Sequence, residues 1–177
     1  MGVVRRLLLF LCIVTVCASC TLFPTRVPPG QRAVRQLVQA ERSQDGLYEI
    51  VHEWVLELVD PDRYPGRLPE GAPPGPSLQY DSPAKGRIVA RPQIWVDYPS
   101  GRHRTEFTLT VQVQDGRVRL SAEEPRYWRT GKVSRYTLPG LWLRSAVDTE
   151  GGMDAFRSAV LEAFRSLEAA IRTGKGP

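Results

Sequence analysis

Cysteine is almost absent from this chain of 177 residues. The three cysteines that it has, Cys12, Cys17 and Cys20, all lie within the first 20 residues. The remainder of the chain therefore holds no disulfide, no thiolate metal site and no cysteine nucleophile. This distribution directs attention to the N-terminus, where the cysteines mark a processing signal and not a redox or metal centre.

Histidine is also scarce, since only His52 and His103 occur. Neither has a second histidine, a cysteine or a carboxylate at the spacing of a metal site. The sequence contains no GxSxG elbow, no Walker motif and no GxGxxG. We therefore predict that the protein is not an enzyme and that it has no metal and no cofactor. His52 lies off the apolar face of its helix, so we expect it to be a solvated surface residue.

Long hydrophobic runs are lacking as well. The longest apolar stretch, LLLFLCIVTV at 7–16, is shorter than the roughly 20 residues that a membrane-spanning helix needs. Arg5 and Arg6 precede it, and the small residues Ala18 and Ser19 follow it. A basic start, a short apolar stretch and a small-residue cleavage zone predict a secretory signal peptide at 1–19.

The sequence CASC at 17–20 resembles a bacterial lipobox, in which the last cysteine becomes N-terminal and carries lipid. Cys17 departs from that pattern, where an aliphatic residue is usual. Cleavage before Cys17 would put Val16 at a position that demands a small residue, so Cys20 is the better candidate. The prediction is a palmitate-bearing anchor that holds the protein on a membrane of the bacterial cell envelope, facing the periplasm. Ordinary secretion with cleavage nearby is the alternative.

Excess charge is modest, with 24 basic and 19 acidic residues and a net charge of +5. Removal of residues 1–19 removes two arginines and no acid, which leaves a net charge of +3. A charge this small argues against nucleic acid as a partner.

Three regions follow the signal peptide. Residues 20–32 are proline-rich and aperiodic and predict a tether, and 33–177 predict a single domain. Within that domain, 61–76 hold six prolines and three glycines and predict a surface loop. The short segment 33–41 fits either a helix or a strand on its pattern alone.

Two amphipathic helices are predicted from apolar residues at helical spacing. Ser43 or Asp45 can cap the first helix, and Pro61 ends it. The second helix stops near Gly174. The first apolar stripe consists of Leu47, Ile50, Val51, Trp54, Val55 and Leu58, and the second of Met153, Phe156, Val160, Phe164, Leu167 and Ile171.

Between the helices the apolar period changes to two, which is typical of strands. Asp115-Gly116 favours a two-residue hairpin turn, because both central residues need positive φ. This turn predicts three core pairs, Val113 with Val118, Val111 with Leu120 and Leu109 with Ala122. It places three polar pairs on the opposite face, Gln114 with Arg117, Gln112 with Arg119 and Thr110 with Ser121.

For the preceding hairpin, a four-residue loop at 99–102 is predicted, which pairs Val96 with Thr105 and sets Trp95 beside Glu106. A three-residue loop would turn Trp95 and Arg91 toward the core. A further strand at 77–81 joins through the turn SPAKG at 82–86. The prediction is a four-stranded antiparallel meander, followed by a long aromatic and basic connection at 125–150.

Several segments resemble a known family. They are GLYEIVHEWV at 46–55, GRIVA at 86–90 and TEFTLTVQVQDGRVRLSAEEPRYW at 105–128. They are similar to an uncharacterised bacterial family, a domain of unknown function with a TATA-binding-protein-like fold that is common in exported proteins of Bacteroidetes. The resemblance covers about 34–128. It implies an α+β fold of order β-α-β4-α, in which two helices cover one face of an antiparallel sheet, and it makes 33–41 a strand. It brings no catalytic residues.

In the DNA-binding relatives of this fold, the uncovered sheet face binds the ligand. Here that face is predicted to carry Trp95, Arg91, Thr110, Gln112, Arg117 and Arg119. An exposed tryptophan among arginines suits a sugar, an anionic headgroup or a peptide. Alternatively, the aromatic residues of 125–150 cover Trp95.

Two functions follow from these features. The first is a non-catalytic binding or structural module of the envelope, with an envelope protein or polymer as its partner. The second is a carrier or sensor of a small amphiphile held between sheet and helices.

Overall fold

The computed structural model describes residues 25–60, 76–133 and 136–174, and for 128–144 its description is limited to backbone pairing. The predicted signal peptide, Cys20 and nearly all of the loop at 61–76 lie outside these residues. The described residues form seven strands and two α-helices: β1 Val34–Gln39, α1 Gln44–Leu58, β2 Ser77–Ser82, β3 Arg87–Arg91, β4 Gln93–Tyr98, β5 Gly101–Gln114, β6 Arg117–Val133, β7 Tyr136–Ala146 and α2 Glu150–Thr173.

All seven strands belong to one antiparallel sheet. Its main path runs β1-β6-β5-β3-β2, while β4 pairs with β5 and β7 pairs with β6. Both helices pack on one face, so the predicted α+β class with two helices covering one sheet face is confirmed. The predicted strand at 33–41 is confirmed as β1.

Helix α1 begins at Gln44 because two side chains satisfy the free N–H groups of its first turn. Ser43 Oγ accepts from the backbone N–H of Gly46 at 3.4 Å, and Asp115 Oδ1 accepts from the N–H of Gln44 at 2.7 Å. Each member of the predicted apolar stripe is buried, which confirms that stripe. The helix ends at Leu58.

Helix α2 is confirmed with its predicted apolar stripe buried and its end at Gly174, whose φ of +67° is left-handed. Thr149 caps its start by accepting from the N–H of Gly152 at 3.2 Å. The two helices meet through Trp54, whose Nε1 donates to Ser166 Oγ at 2.9 Å. None of the described helices has the length and apolar character that a membrane span requires.

The hairpin between β5 and β6 has the predicted register. Val113 lies opposite Val118, and all six predicted pairs occur. Gly116 has φ of +73°, but Asp115 does not have a positive φ, so the prediction that both central residues of the turn have positive φ is wrong. The three pairs predicted for the core face are almost fully buried, because helices α1 and α2 cover that face.

The hairpin between β4 and β5 differs from the prediction. Tyr98 lies opposite Gly101, so the loop is the two residues Pro99 and Ser100 and not the four at 99–102. The pairing is shifted by two positions, and Trp95 lies opposite Arg104 instead of beside Glu106. Because a strand alternates its faces every residue, a shift of two leaves the predicted inward and outward residues unchanged.

The connection predicted at 125–150 is wrong in large part. Strand β6 continues to Val133, and Tyr136–Ala146 returns beside it as β7, with Arg126 opposite Ala146. The sheet therefore has seven strands where the prediction has five. Pro92 interrupts one long predicted strand and divides it into β3 and β4, because proline lacks the N–H that a continuous ladder needs.

The end of the predicted tether is bound to the domain. The N–H of Val27 donates to the carbonyl of Asp148 at 2.7 Å, and Arg26 forms an antiparallel bridge with Thr149. The carbonyl of Thr25 accepts from the N–H of Glu150 at 3.1 Å. Residues 25–27 therefore lie against the start of α2.

Candidate functional site

The sheet face opposite the helices is the candidate binding surface. A cavity of about 450 Å³ opens on it, at the end of the sheet where β1, β6 and β5 run side by side. We call this cavity the outer-face groove. It is lined by Arg35, Gln36, Leu37, Thr110, Gln112, Arg119, Leu120 and Ser121.

Strand alternation places the side chains of this groove. Leu37 of β1 lies opposite Arg119 of β6, and Ser121 lies opposite Thr110 of β5, so three neighbouring strands contribute. Leu37 is 49% exposed, so its aliphatic side chain is available for contact with a ligand. The groove therefore combines an apolar floor with hydroxyl and guanidinium groups.

The charges around the groove are unevenly paired. Arg35 lies 3.6 Å from Glu123, which also accepts from Ser121 Oγ at 2.8 Å. Within the described residues, Arg119 is exposed and forms no ion pair. Arg117, at the rim, donates from Nε to Gln114 Oε1 at 2.7 Å, which leaves its charge unneutralised. These charged groups at the groove and its rim are thus three arginines and one carboxylate, that of Glu123.

Gln112 has a structural contact as well as a place in the groove. Its Nε2 donates to the carbonyls of Lys85 at 2.8 Å and Gly86 at 3.3 Å, which ties β5 to the turn before β3. Its amide is therefore already oriented, so the groove is preformed on this side.

Trp95 belongs to a different part of the same face. Thr110 lies opposite Val89 of β3, and Trp95 follows Val89 by six residues. At roughly 3.3 Å per residue, Trp95 therefore lies about 20 Å along the strands from Val89 and from the groove beside it. The pairing of β5 with β6 shifts register between Glu106 and Thr108, because β6 has one extra residue there, and such a bulge increases the local twist of the sheet. The structure therefore divides the predicted binding face. It brings Thr110, Gln112 and Arg119 together, with Arg117 at the rim, and it leaves Trp95 apart.

Arg91 lies between these two parts at the end of β3, opposite Ser77, and is exposed. Trp95 is 50% exposed, which favours the exposed alternative over the covered one. The Arg102 guanidinium lies over its ring, 5.7 Å from the centroid. Sequence reasoning did not identify Arg35 and Leu37, because their strand has an ambiguous pattern and joins the face only by pairing with β6.

A second cavity, of about 320 Å³, lies at the start of α2. Tyr98 and Tyr127 contribute aromatic surface to it, and Pro99, Ser100 and Gly151 line it from the hairpin and the helix. Burial raises the pKa of Tyr98 to about 12, and its hydroxyl is hydrogen-bonded to Thr105 Oγ1 at 2.9 Å. His103 packs against both tyrosine rings, with centroid distances of 5.8 Å and 5.0 Å.

His52 is not the solvated residue that we expected. Its Nε2 lies 2.9 Å from Asp81 Oδ2, and its ring stacks on Tyr48 with centroids 6.1 Å apart. The Tyr48 hydroxyl donates to the other Asp81 oxygen. Burial, together with this carboxylate, raises the pKa of Tyr48 well above its usual range. The cluster joins α1 to β2, and no group of three metal-ligating side chains occurs among the described residues.

The fold has known counterparts. A family model described as a domain of unknown function, DUF4468, with a TBP-like fold matches residues 38–128. A TBP-like protein from Parabacteroides distasonis aligns with a TM-score of 0.55 at 11% identity, covering 84% of this chain and 94% of that one. A DUF4468 family protein from Bacteroides ovatus aligns with a TM-score of 0.51 at 15% identity, covering 85% and 91%.

At these identities the two structures show the fold alone, and they confirm the predicted TBP-like arrangement. A comparison with curated proteins finds no similar sequence. The surface of this chain is therefore the source of information on its function.

Proposed function

This chain belongs to the DUF4468 family of domains with a TBP-like fold, and on that premise we propose that it is a membrane-anchored lipoprotein of the bacterial cell envelope. It acts as a non-catalytic binding module, and it takes an envelope protein or polymer that presents anionic groups. The outer-face groove is the binding site, and Cys20 carries the lipid.

The observation that carries this proposal is the pairing of Leu37 with Arg119 in the groove. An exposed aliphatic side chain and a guanidinium without an ion pair among the described residues lie on neighbouring strands. An apolar contact contributes affinity when it is covered, and a nearby arginine recognises carboxylate or phosphate with directed hydrogen bonds. The 450 Å³ of the groove is within the usual range of a ligand site.

A binding role suits the groove better than catalysis does. Among its described lining residues there is no histidine, cysteine or acid that could move a proton near neutral pH. Glu123, the nearest carboxylate by strand position, is held by Arg35 and Ser121. The groove therefore offers hydrogen-bond donors and a guanidinium cation, which favours the binding of a ligand over its chemical conversion.

The envelope assignment is supported by the sequence CASC at 17–20 and by the short distance from Cys20 to the domain. Residues 25–27 already hydrogen-bond to the start of α2, so five residues link Cys20 to the first bound carbonyl. A chain of five residues spans at most about 18 Å. The lipid would hold the domain close to the membrane surface.

The alternative function, a carrier of a small amphiphile between sheet and helices, has less support. The described layer between them is filled by fully buried side chains, among them Leu47, Ile88, Val111, Phe156 and Leu167. The outer-face groove lies on the opposite side of the sheet, and the cavity of about 320 Å³ lies only at the edge of this layer, between Tyr98 of β4 and the first turn of α2.

Affinity capture from envelope extract tests the binding role, with the mature lipidated protein in detergent as bait. The double variant Leu37→Asp with Arg119→Glu should recover at least tenfold less of any partner that the wild type enriches. The matched control makes the same changes on the helical side, Leu56→Asp with Arg165→Glu, where Leu56 is 43% exposed and the Arg165 side chain is 69% exposed. Equal recovery by both variants, or no enrichment by the wild type, would contradict the proposal.

Metabolic labelling with palmitate tests the anchor separately. Wild type should incorporate label and sediment with membranes, and Cys20→Ala should do neither. Cys17→Ala is the matched control, since it should remain labelled. Unchanged labelling of Cys20→Ala would refute lipidation at this residue.

A further inference from the structure

The N-terminal segment joins the domain at one particular end. The carbonyl of Thr25 accepts from the N–H of Glu150 at 3.1 Å, and Arg26 bridges to Thr149. Since Cys20 precedes Thr25 by only five residues, any lipid on it is confined to within about 18 Å of the start of α2.

The β4–β5 hairpin occupies that same end. A Cβ on Gly151 would lie 3.9 Å from Pro99 Cγ, so the hairpin turn lies beside the first turn of α2. Pro99 and Ser100 line one cavity together with Thr149 and Gly151. A membrane that holds Cys20 is therefore close to this hairpin.

Trp95 lies on this hairpin and is 50% exposed. It precedes Tyr98, the last residue of β4, by three residues, which places it about 10 Å from the turn. Half of a large indole therefore faces solvent at the end of the molecule nearest the predicted anchor. Tryptophan is enriched at membrane interfaces, because its ring is apolar while its N–H can bond to water or headgroups.

Arg102 completes the arrangement. Its guanidinium lies 5.7 Å from the centroid of the Trp95 ring, and its Nε is 3.8 Å from Asp97 Oδ1. Asp97 offsets the charge of Arg102, so the exposed indole lies beside a charge-balanced ion pair. An amphipathic patch of this kind beside a lipid anchor suits a bilayer surface better than a polyanion.

We infer that the β4–β5 hairpin is a membrane-contact surface of the anchored protein, in which Trp95 enters the headgroup region of a phospholipid bilayer. Arg102 supports the ring and reaches the phosphates. This inference rests on the proposed lipid anchor at Cys20. It gives the two parts of the outer sheet face different roles: the hairpin end contacts lipid, and the outer-face groove, about 20 Å away along the strands, stays open to a partner.

Tryptophan fluorescence in vesicles tests the contact. The lipidated full mature protein is reconstituted into phosphatidylcholine vesicles whose acyl chains carry bromine, which quenches tryptophan at short range. We expect that Trp95→Phe lowers the amplitude of quenched emission at least twofold relative to the wild type. Trp54→Phe is the matched control, since Trp54 is only 2% exposed and its removal should leave the quenched amplitude unchanged.

Two readouts separate this inference from the anchor on which it rests. Flotation with the vesicles reports the anchor, and quenching reports Trp95. If the wild type floats but Trp95→Phe is quenched as strongly as the wild type, the membrane contact is refuted while the anchor stands. If the wild type does not float, the anchor itself is refuted, and the inference falls with it.

Discussion

His52 Nε2 lies 2.9 Å from Asp81 Oδ2, and this contact connects the middle of α1 to strand β2 at the edge of the sheet. The second oxygen of Asp81 accepts the hydroxyl of Tyr48. One carboxylate thus holds two aromatic side chains of a helix. It restrains β2, which pairs with β3 alone among the described strands.

Replacement of Asp81 by alanine should destabilise the domain by about 1–3 kcal/mol, since it leaves the partly buried Tyr48 hydroxyl without its acceptor. Urea unfolding followed by circular dichroism measures the change. Asp97→Ala is the control: this carboxylate is 82% exposed beside Arg102, so its loss should cost less than about 0.5 kcal/mol. Equal costs at the two positions would show that the Asp81 cluster contributes no special stability.

Gly86→Ala should destabilise the domain by more than about 2 kcal/mol. Gly86 has φ of +56°, and an added Cβ would overlap the carbonyl oxygen of Val113. That oxygen belongs to a central strand and cannot move without breaking its ladder. Gly30→Ala meets nothing within 4 Å and should change the stability little. Thermal unfolding of the two variants compares them directly, and similar melting temperatures would contradict the close approach of the turn to β5.

Stability should fall as the pH rises from about 10 to about 12, because burial raises the pKa of Tyr98 to about 12 from its ordinary value of 10.0. The folded state keeps the phenol proton over this interval while the unfolded state releases it, so deprotonation favours unfolding. Below about pH 10 the contribution is fully present. It amounts to about 3 kcal/mol, because the rise in pKa is about two tenfold changes in proton affinity and each corresponds to about 1.4 kcal/mol.

Tyr98→Phe tests that pH dependence. The variant should lose about 1 kcal/mol at pH 8, because the hydrogen bond to Thr105 disappears. Above about pH 10 its free energy of unfolding should decline less steeply than that of the wild type. Urea titrations at intervals between about pH 8 and about pH 11 give both slopes. Parallel slopes would mean that Tyr98 does not carry the effect.

Trp54 should show separable contributions from packing and from hydrogen bonding. Trp54→Phe removes the bond to Ser166 and should cost about 1–2 kcal/mol, while Trp54→Ala also opens a cavity and should cost about 3–5 kcal/mol. Leu56→Ala, on the exposed side of the same helix, serves as the control and should cost less than about 1 kcal/mol. Chemical denaturation measures all three. A Leu56 variant as unstable as Trp54→Ala would contradict the orientation of α1.

Hairpin chemistry explains why one register was predictable and the other was not. Gly116 takes the left-handed position of the Asp115-Gly116 turn, and the turn fixes the pairs of β5 and β6 from Gln114 with Arg117 to Thr108 with Glu123. The segment 99–102 contains proline, serine and glycine and is compatible with several loop lengths. Its true length of two residues follows from the pairing of Tyr98 with Gly101, which the local sequence does not specify.

Strand β7 was not predictable from local pattern. Its sequence includes Pro139 and Gly140, and both residue types are uncommon inside strands. Pairing with β6, which continues beyond the end of β1, makes this segment a strand. Such pairing is a long-range interaction, which the chemistry of adjacent residues does not report.

The candidate site was predictable in part for the same reason. Alternation along β5 and β6 assigned Thr110, Gln112 and Arg119 to the outer face, and the structure brings all three into the groove. Leu37 became part of it only through the pairing of β1 with β6. Trp95 shares the predicted face, but the bulge in β6 and the length of the strands place it at the other end.

Local interactions were therefore sufficient for the two helices, for the alternation of inward and outward side chains and for the Asp115-Gly116 turn, because each depends on neighbours within a few residues. Contacts between distant segments decided the number of strands, the pairing of Leu37 with Arg119, the link between His52 and Asp81, and the binding of Thr25 to the start of α2. These contacts form only when the whole sheet closes over its core, so only the tertiary arrangement specifies them.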